Sequence, residues 1–384
     1  MIVSRLILKN WRNFRSVDVS LGRRVFLVGP NASGKSNFLD AFRFLRDIAK
    51  SEGGGLQKAV SDRGGISKIR CLAARKDPQI EVEVHLAENY EEKPLWKYAL
   101  SVKQEIRGSR QPYLNYEKVW QGEKLILNRP DQQDKEDKLR LIQTNLEQIN
   151  ANVGFREIAR FFESIYYSHL VPQLLRHPEA FAGPTSKEDP FGRSFMERVI
   201  KTPEKTRRAR LRRIEGALIV AVPQLKKLTD TKDERGVPHL EAVYEHWRAR
   251  GAKQREEEFS DGTLRLIGFL WSLLEGESLL LMEEPELSLH AGVVQRLPGL
   301  IWRIQSKKKR QIIISTHSDD LLSDKGIGGE EVVLLTPDVE GTKAEQASSI
   351  REVRDLLEGG LSVAEVAIPR TEPRNIKQLS LFDE

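Results

Sequence analysis

The chain has 384 residues and a formal net charge of +6, with 39% hydrophobic and 31% charged residues. This composition is typical of a globular protein of one or two domains, and no apolar run approaches the roughly 18 residues that span a bilayer. The N-terminus lacks the layout of a signal peptide, so we expect a cytoplasmic protein. Cys71 is the only cysteine, which excludes an intrachain disulfide and a cysteine-based zinc site within one chain.

Three strands are predicted first in chain order, at residues 2–9, 17–21 and 24–28. A basic and aromatic turn, Asn-Trp-Arg-Asn-Phe-Arg, joins the first two strands. After the third strand, residues 37–50 carry apolar side chains at helical spacing. A glycine-containing loop therefore lies between a short apolar strand and a helix.

The loop at residues 29–36 reads G-P-N-A-S-G-K-S and fits the phosphate-loop pattern G-x-x-x-x-G-K-[ST] without a mismatch. The two glycines let backbone N–H groups turn toward phosphate oxygens, and the following helix adds its positive dipole end. We expect Lys35 to reach the β- and γ-phosphates of a nucleoside triphosphate and Ser36 to hold Mg²⁺. The predicted triphosphate-binding residues of the loop are Gly29, Pro30, Asn31, Ala32, Ser33, Gly34, Lys35 and Ser36.

The middle of the chain predicts two further regions. Short alternating strands between residues 80 and 127 predict an antiparallel sheet beside the loop, and residues 132–221 are mostly helical and charged. The run at 201–213 is rich in basic residues, and two interpretations stay open for it: a solvated helix face, or contact with a nucleic-acid backbone. The candidate DNA contacts are Arg207, Arg208, Arg210, Arg212 and Arg213.

Two apolar strands that end in polar side chains are predicted at residues 278–283 and 311–316. A carboxylate at the end of such a strand normally serves a metal ion, so we assign Glu283 to Mg²⁺ and Glu284 to the general base that polarises the attacking water. An acidic turn that caps the next helix is the structural alternative. Neighbouring parallel strands would bring His317 to the same sheet edge, where it can bond the γ-phosphate or the water. A purely structural histidine is the alternative there.

Residues 260–263, Ser-Asp-Gly-Thr, precede an apolar helix, and helix capping by Ser260 is the simplest explanation for them. Four segments in this order resemble the motifs of ABC-type ATPases. They are the phosphate loop, Ser-Asp-Gly-Thr, Leu-Leu-Met-Glu-Glu-Pro-Glu and Ser-Thr-His. The resemblance is to the branch of AAA-family ATP-binding proteins that holds RecF-like, structural-maintenance-of-chromosomes (SMC) and OLD-like proteins. The turn at residues 10–15 is similar to the N-terminal turn of that branch. The resemblance covers roughly residues 1–90 and 255–340.

This resemblance implies that two chains close on two ATP molecules. The segment around residue 260 of one chain would contact the γ-phosphate that the other chain's Lys35 holds. The residues that the resemblance adds are Arg12 and Asn13 for ATP binding, Ser260, Asp261 and Gly262 for the signature in trans, and Glu286 and His290 for the dimer interface.

Four departures from the family pattern are visible. The signature is Ser-Asp-Gly-Thr-Leu where transporters usually carry Leu-Ser-Gly-Gly-Gln, and Glu283 stands where aspartate is commoner. Ala32 replaces a usual glycine of the phosphate loop. No residue can be assigned to the usual glutamine of the Q-loop.

The C-terminal residues Gln378, Leu379, Leu381 and Phe382 resemble the peptide by which bacterial proteins bind the sliding clamp. A flexible tail would present the three apolar side chains as anchors, and Gln378 could bond the rim of a pocket. Packing of the tail on its own domain is the alternative.

The sequence as a whole predicts an α/β fold: an ABC-type P-loop NTPase with a mixed central sheet, a flanking antiparallel β-sheet and a helical insertion. We expect an ATPase lobe split between residues 1–90 and 256–345, an insertion at 91–255, and a helix, linker and tail at 346–384. The expected function is an ATP- and Mg²⁺-dependent switch that dimerises on ATP in DNA repair or anti-phage defence. Its expected partners are duplex DNA, the sliding clamp and a separately encoded nuclease or toxin. The alternatives are the ATPase subunit of a membrane transporter and a structural module that does not hydrolyse ATP.

Overall fold

The structure is a computed structural model that describes residues 1–75, 77–90, 92–105, 110–178, 189–247 and 251–371. In this part of the chain the strands are β1 (Ile2–Trp11), β2 (Phe14–Ser20), β3 (Arg24–Val28), β4 (Ile80–Ala87), β5 (Trp96–Gln104), β6 (Pro112–Gln121), β7 (Lys124–Arg129), β8 (Tyr166–Ser168), β9 (Leu225–Lys232), β10 (Pro238–Tyr244), β11 (Ala252–Arg255), β12 (Leu280–Glu283), β13 (Ile312–Thr316), β14 (Val332–Asp338) and β15 (Gly341–Gln346). The helices are α1 (Lys35–Ala49), α2 (Leu56–Ser61), α3 (Ile66–Ile69), α4 (Gln132–Glu136), α5 (Arg156–Glu163), α6 (Pro172–Arg176), α7 (Phe195–Lys201), α8 (Glu204–Ala221), α9 (Asp261–Leu274), α10 (Ala291–Val294), α11 (Leu297–Lys308), α12 (Asp319–Leu322), α13 (Arg351–Glu358) and α14 (Val363–Thr371).

Two compact units make up the chain. The first contains residues 1–166, 278–281 and 309 onward, and the second contains residues 167–277 and 282–308. The chain passes between the units within β8, after Glu277, within β12 and after Lys308. The four-part division expected from the sequence stays a prediction. No helix in the described ranges combines the length and the apolar character that crossing a membrane requires.

The first unit contains a six-stranded antiparallel sheet in the order β2-β1-β4-β5-β6-β7. In β4 the side chains of Ile80, Val82 and Val84 are buried while Glu81 and Glu83 between them are half-exposed. This alternation is what a strand with one buried face requires. The flanking antiparallel sheet predicted from the sequence is confirmed.

The phosphate-loop strand belongs to a second six-stranded sheet, in the order β15-β14-β3-β13-β12-β8. Strand β3 pairs in parallel with β13 and with β14, whereas β14 pairs antiparallel with β15. All five residues of β3 and of β13 are buried, as expected for continuous apolar runs in a sheet covered on both faces. The sheet is therefore mixed, as predicted, and β12 and β13 are neighbours in it.

Aromatic side chains fix α1 on the first sheet. The ring of Trp11 lies 5.2 Å from that of Phe44, and Phe14 contacts Phe38 edge-on at 6.3 Å. The indole N–H of Trp11 also donates to the carbonyl of Asn37, at 2.8 Å. Each aromatic pair contributes about 0.5–1.5 kcal/mol beyond the burial of its area. The basic and aromatic turn thus anchors the helix that follows the phosphate loop.

The second unit is built around α9, whose side chains are buried on nearly every face. A helix that is apolar all round has to lie inside a core. Its Trp271 contacts Phe195 of α7 edge-on, with 6.1 Å between ring centroids. A three-stranded antiparallel sheet in the order β11-β10-β9 completes this unit with helices α6–α8, α10 and α11.

Candidate functional site

The phosphate loop leaves β3 at Gly29 and enters α1 at Lys35. Gly34 caps the helix with φ +99°, a left-handed conformation, and no side chain caps the N-terminus of this 15-residue helix. A Cβ atom on Gly34 would overlap the side-chain amide of Asn13, and one on Gly29 would lie 2.6 Å from Ser33 Oγ. The loop is therefore a close-fitting backbone cradle at a helix N-terminus, which fits a phosphate group.

Asn13 braces this cradle from the turn between β1 and β2. Its amide donates to the carbonyl of Ser33 and to Thr342 Oγ1, both at 2.7 Å, and its oxygen accepts from Asn37 at 2.8 Å. Both donors of the amide are used inside the protein, so Asn13 holds the loop instead of presenting the amide to a ligand. Arg12, which the resemblance also assigns to ATP, pairs with Asp40 of α1 at 3.0 Å.

Lys35 lies against the loop, with 8% of its surface exposed. Its ammonium donates to the carbonyls of Gly29, at 2.9 Å, and Pro30, at 3.3 Å. Ser36 is exposed on the first turn of the helix. The departure at Ala32 has a structural cost, because its φ of +63° lies in the left-handed region that costs a residue with a Cβ roughly 1–2 kcal/mol.

His317 follows β13, and Thr316 of that strand lies opposite Val28 of β3 in parallel register. Gly29 and His317 therefore leave the sheet at the same edge, one after each of the paired residues. His317 is exposed. The structure thus brings the predicted histidine and the phosphate loop to one edge within the first unit.

Glu283, the last residue of β12, and Glu284, which follows it, lie in the second unit. Glu283 is half-buried, and its Oε2 is 3.7 Å from Nδ1 of His169, which follows β8. Glu284 has φ +41°, a left-handed conformation that costs energy in a residue with a Cβ. His169 was not predicted. Its position directly after a sheet strand is the signal that could have found it.

The signature segment begins α9. Ser260 is exposed, and its Oγ accepts a hydrogen bond from the N–H of Thr263 at 3.1 Å. Ser260 therefore caps α9. Asp261 is held by two residues of α6, Arg176 at 2.6 Å and Gln173 at 2.8 Å. Neither partner was predicted, because a separation of more than eighty residues leaves no periodic pattern.

The loop after β12 packs on the signature helix. A Cβ atom on Gly262 would lie 2.6 Å from the carbonyl oxygen of Ser288, so only glycine permits this approach. Glu286, a predicted interface residue, is 5% exposed and lies inside its own unit. His290 is exposed and caps α10 by accepting from the N–H of Gly292 at 3.1 Å. Both interface assignments stay predictions.

Arg265, one turn along α9, was also missed. Burial lowers the pKa of its guanidinium, and the charges of Asp261, Glu286 and Glu284 oppose that shift. Its Nε and Nη1 atoms are buried and have no hydrogen-bond partner among the described residues. The Arg265 cation is therefore influenced by three carboxylates: Asp261 of the signature, and Glu284 and Glu286 of the segment after β12.

The predicted DNA-contacting arginines on α8 fall into two groups, one held by contacts within the unit and one exposed. Arg207 pairs with Asp230 at 3.0 Å, and Arg210 lies over the ring of Trp271, 5.2 Å from its centroid. These two contacts engage Arg207 and Arg210 within the unit, whereas Arg208, Arg212 and Arg213 are exposed. The tail residues Gln378, Leu379, Leu381 and Phe382 lie outside the described residues.

Known proteins resemble this chain in sequence and in fold. A family profile matches residues 24–324. The "DNA replication and repair protein RecF" of Synechocystis sp. (strain ATCC 27184 / PCC 6803 / Kazusa) is 31% identical over 87 residues. That match covers 22% of this chain and 23% of the RecF protein, so the chain spans about a quarter of that relative's length.

Solved structures resemble the fold over most of the chain. The crystal structure of an SMC head bound to the C-winged helix domain of ScpA has a TM-score of 0.53 at 16% identity, over 90% of this chain and 98% of that chain. An SMC head from Pyrococcus furiosus, with an extended coiled coil and bound to the C-terminal domain of ScpA, has a TM-score of 0.50 at 13% identity, over 93% and 99%. At such low identity the likeness concerns the fold alone, an SMC-head-like α/β P-loop NTPase. Because the profile spans most of its length, the chain belongs to the family described as "AAA domain, putative AbiEii toxin, Type IV TA system".

Proposed function

We propose that this chain is an ATP-hydrolysing switch that works in the cytoplasm as a homodimer assembled on ATP. The observation that carries the proposal is the phosphate cradle at the N-terminus of α1, with Gly34 in the left-handed conformation and Asn13 bonded to the loop. Backbone N–H groups and a helix dipole converge there, which is the arrangement that binds the phosphates of a nucleotide.

ATP would be held by the backbone of residues 29–36 and by the Lys35 ammonium. Ser36 and Glu283 offer the hydroxyl and carboxylate oxygens that Mg²⁺ prefers. When bound, that ion would neutralise charge on the β- and γ-phosphates. The half-buried position of Glu283 beside His169 supports its role, because a neighbouring imidazole limits the orientations of the carboxylate.

Hydrolysis would use the two polar side chains that follow β12 and β13. Glu284 takes a proton from water, the water oxygen bonds to the γ-phosphorus, and the bond from that phosphorus to the ADP oxygen breaks. His317 bonds the γ-phosphate or the water and orients it. The shared sheet edge of His317 and Gly29 supports this role.

Dimerisation would bring Ser260, Asp261 and Gly262 of a second chain to the γ-phosphate. Ser260 is exposed at the N-terminus of a helix of 14 residues, where an incoming phosphate meets further N–H groups. Glu286 and His290 would complete the interface. Binding of ATP would close the dimer and hydrolysis would open it, because the γ-phosphate contacts exist only before hydrolysis.

The output of the switch would be DNA binding or control of an effector. The RecF relative is described as a DNA replication and repair protein, and the family description names a toxin–antitoxin system. The description of the RecF relative supports contact of Arg208, Arg212 and Arg213 with duplex DNA. The family description supports a separately encoded nuclease or toxin as the effector in anti-phage defence. The tail at residues 378–382 would bind the sliding clamp.

The test compares wild type with Glu284→Gln and Lys35→Ala. We expect Glu284→Gln to bind ATP but to hydrolyse it about 10²–10⁴-fold more slowly, and to accumulate as a dimer with ATP. Lys35→Ala should lose ATP binding and dimerisation together. Steady-state hydrolysis with and without duplex DNA, and light scattering with ATP, provide the readouts. Unchanged turnover in Glu284→Gln would refute the assignment of the base.

A further inference from the structure

The helices of the second unit border a groove to which the phosphate loop contributes nothing. Its lining comes mainly from α8, α9 and α11, and it consists of two cavities of about 770 Å³ and 340 Å³. The two cavities share Ala217, Leu270, Leu300 and Arg303, so they form one continuous groove. All of its lining residues belong to the second unit.

The floor of the groove is apolar. Leu270 and Leu274 of α9 are almost fully buried beneath it, and Leu300 and Ile304 of α11 are half-buried along it. Val220 lines one end and is 81% exposed. A contiguous apolar surface with such an exposed edge is typical of an interaction site.

The edges of the groove carry one sign of charge. Arg213, Arg296, Arg303 and Lys307 line it and are exposed, and among the described residues no acidic one lines either cavity. Within the described ranges, none of these four exposed side chains makes a hydrogen bond or an ion pair. A fifth cationic side chain, that of Lys308, donates a hydrogen bond to the carbonyl of Leu274 at 2.5 Å.

Two other cations on α8 are matched by carboxylates, whereas Lys205 and Arg212 make no ion pair with a described residue. Arg207 pairs with Asp230 at 3.0 Å, and Arg208 pairs with Glu204 at 2.5 Å. An uncompensated positive rim around an apolar floor is electrostatically complementary to an acidic and apolar partner.

We propose that this groove binds an acidic amphipathic helix of another protein. The border helix α11 has 12 residues, about 18 Å at 1.5 Å per residue, so the occupant has about three turns. Apolar side chains at i, i+4 and i+7 of the occupant fill the floor. Its carboxylates flank that stripe on both sides, because Arg213 lies on α8 while Arg303 and Lys307 lie on α11.

A nucleic-acid backbone suits the groove less well. Phosphates would meet the rim but leave the leucine and isoleucine floor exposed to water, which forfeits about 25 cal/mol for each Å² of apolar area left uncovered. No residue of the phosphate loop lines the groove, although one end of it reaches His290, which the proposed dimer would also use.

The test selects a displayed library of random peptides of about twelve residues on the full chain. We expect the enriched peptides to combine Leu, Ile or Phe at helical spacing with Asp or Glu beside them. The synthetic peptide should bind the Arg213→Glu, Arg303→Glu double variant at least about tenfold more weakly, because two attractions become repulsions. Lys205→Glu is the matched control, since Lys205 is an exposed cation on α8 that lines neither cavity.

A second variant, Ala217→Trp, fills the groove without changing its charge and should also block the peptide. Circular dichroism and thermal melting establish that each variant is folded. Enriched peptides without acidic residues, or equal binding to the double variant, would overturn the proposal. So would a short DNA duplex that displaces the peptide and shows the same sensitivity to the variants, because the groove would then be a nucleic-acid surface. Self-association lost in the double variant would assign the groove to a second copy of the chain instead.

Discussion

The side-chain amide of Asn13 donates a hydrogen bond of 2.7 Å to the backbone carbonyl of Ser33, inside the phosphate loop. We expect Asn13→Ala to weaken ATP binding about tenfold, because a lost hydrogen bond that holds a loop costs on the order of 1–3 kcal/mol. Titration of a fluorescent ATP analogue measures the effect. Asn115→Ala is the control, since that amide bonds Gln79 at 2.8 Å in the antiparallel sheet. If Asn13→Ala and Asn115→Ala bound ATP with equal affinity, the proposed role of Asn13 in holding the phosphate loop would be contradicted.

Gly262 touches the loop after β12 so closely that a Cβ atom would meet the carbonyl of Ser288 at 2.6 Å. Gly262→Ala must therefore displace the signature from that loop. We expect the ATP-dependent dimer to be lost while each chain still binds ATP at its phosphate loop. The control is Gly216→Ala, where the added Cβ meets nothing within 4 Å and should stabilise α8 by up to about 1 kcal/mol. Light scattering with ATP measures the dimer. A Gly262→Ala variant that dimerises like wild type would contradict this role of Gly262.

Local patterns predicted most of the fold because its elements carry strong periodic signals. The apolar run at 311–316 became a buried strand of the central sheet, and the apolar spacing after Ser36 became α1. The phosphate loop was predicted because its glycines are required by backbone geometry at fixed spacing. These features depend on residues that are neighbours in sequence.

The contacts that position the site depend on distant residues. Asn13 meets Thr342 across 329 positions, and Arg176 meets Asp261 across 85, with no spacing rule to connect them. The basic run at 201–213 shows the same limit, because Arg210 differs from its exposed neighbours through contacts with Trp271 and Glu275, which are distant in sequence. Composition could indicate a charged helix but not which of its faces is covered.

Glu147 gives the first unit a dependence on pH. Burial raises its pKa from 4.5 to about 7, while its hydrogen bond from the Leu56 N–H acts in the opposite direction. Between these two values the folded state binds more protons than the unfolded chain, so stability falls as pH rises through that window. With allowance for its partial exposure, we expect a loss of about 2 kcal/mol.

Glu147→Gln should remove this part of the pH dependence while retaining an oxygen acceptor for Leu56. The measurement is the free energy of unfolding in urea at pH 5 and at pH 8. Glu163→Gln, which changes a carboxylate that accepts from the Ser51 N–H, serves as the control. Parallel pH curves for wild type and Glu147→Gln would contradict the assignment.

Arg129 joins two buried carboxylates in the first unit. It bonds both oxygens of Asp134 at 2.9 Å and one oxygen of Glu117 at 3.2 Å, and all three side chains are at most 1% exposed. Arg129→Met leaves two carboxylates buried without this cation, so we expect a loss of about 3–5 kcal/mol in the free energy of unfolding. Arg140→Met removes a partner of Asp134 that is 39% exposed and should cost less than about 1 kcal/mol. Similar melting temperatures for the two variants would contradict this difference.

The central claim is that Lys35 of one chain and Ser260 of the other act on the same ATP. Lys35→Ala and Ser260→Arg should each abolish hydrolysis when they are pure. Mixing the two variants forms heterodimers in which one of the two sites has an intact Lys35 and an intact Ser260 from different chains. Steady-state ATP hydrolysis in the mixture is the most direct test. We predict that hydrolysis recovers, with roughly a quarter of the wild-type rate as the value for random pairing and one working site in each heterodimer. A mixture as inactive as its two components would contradict a shared site.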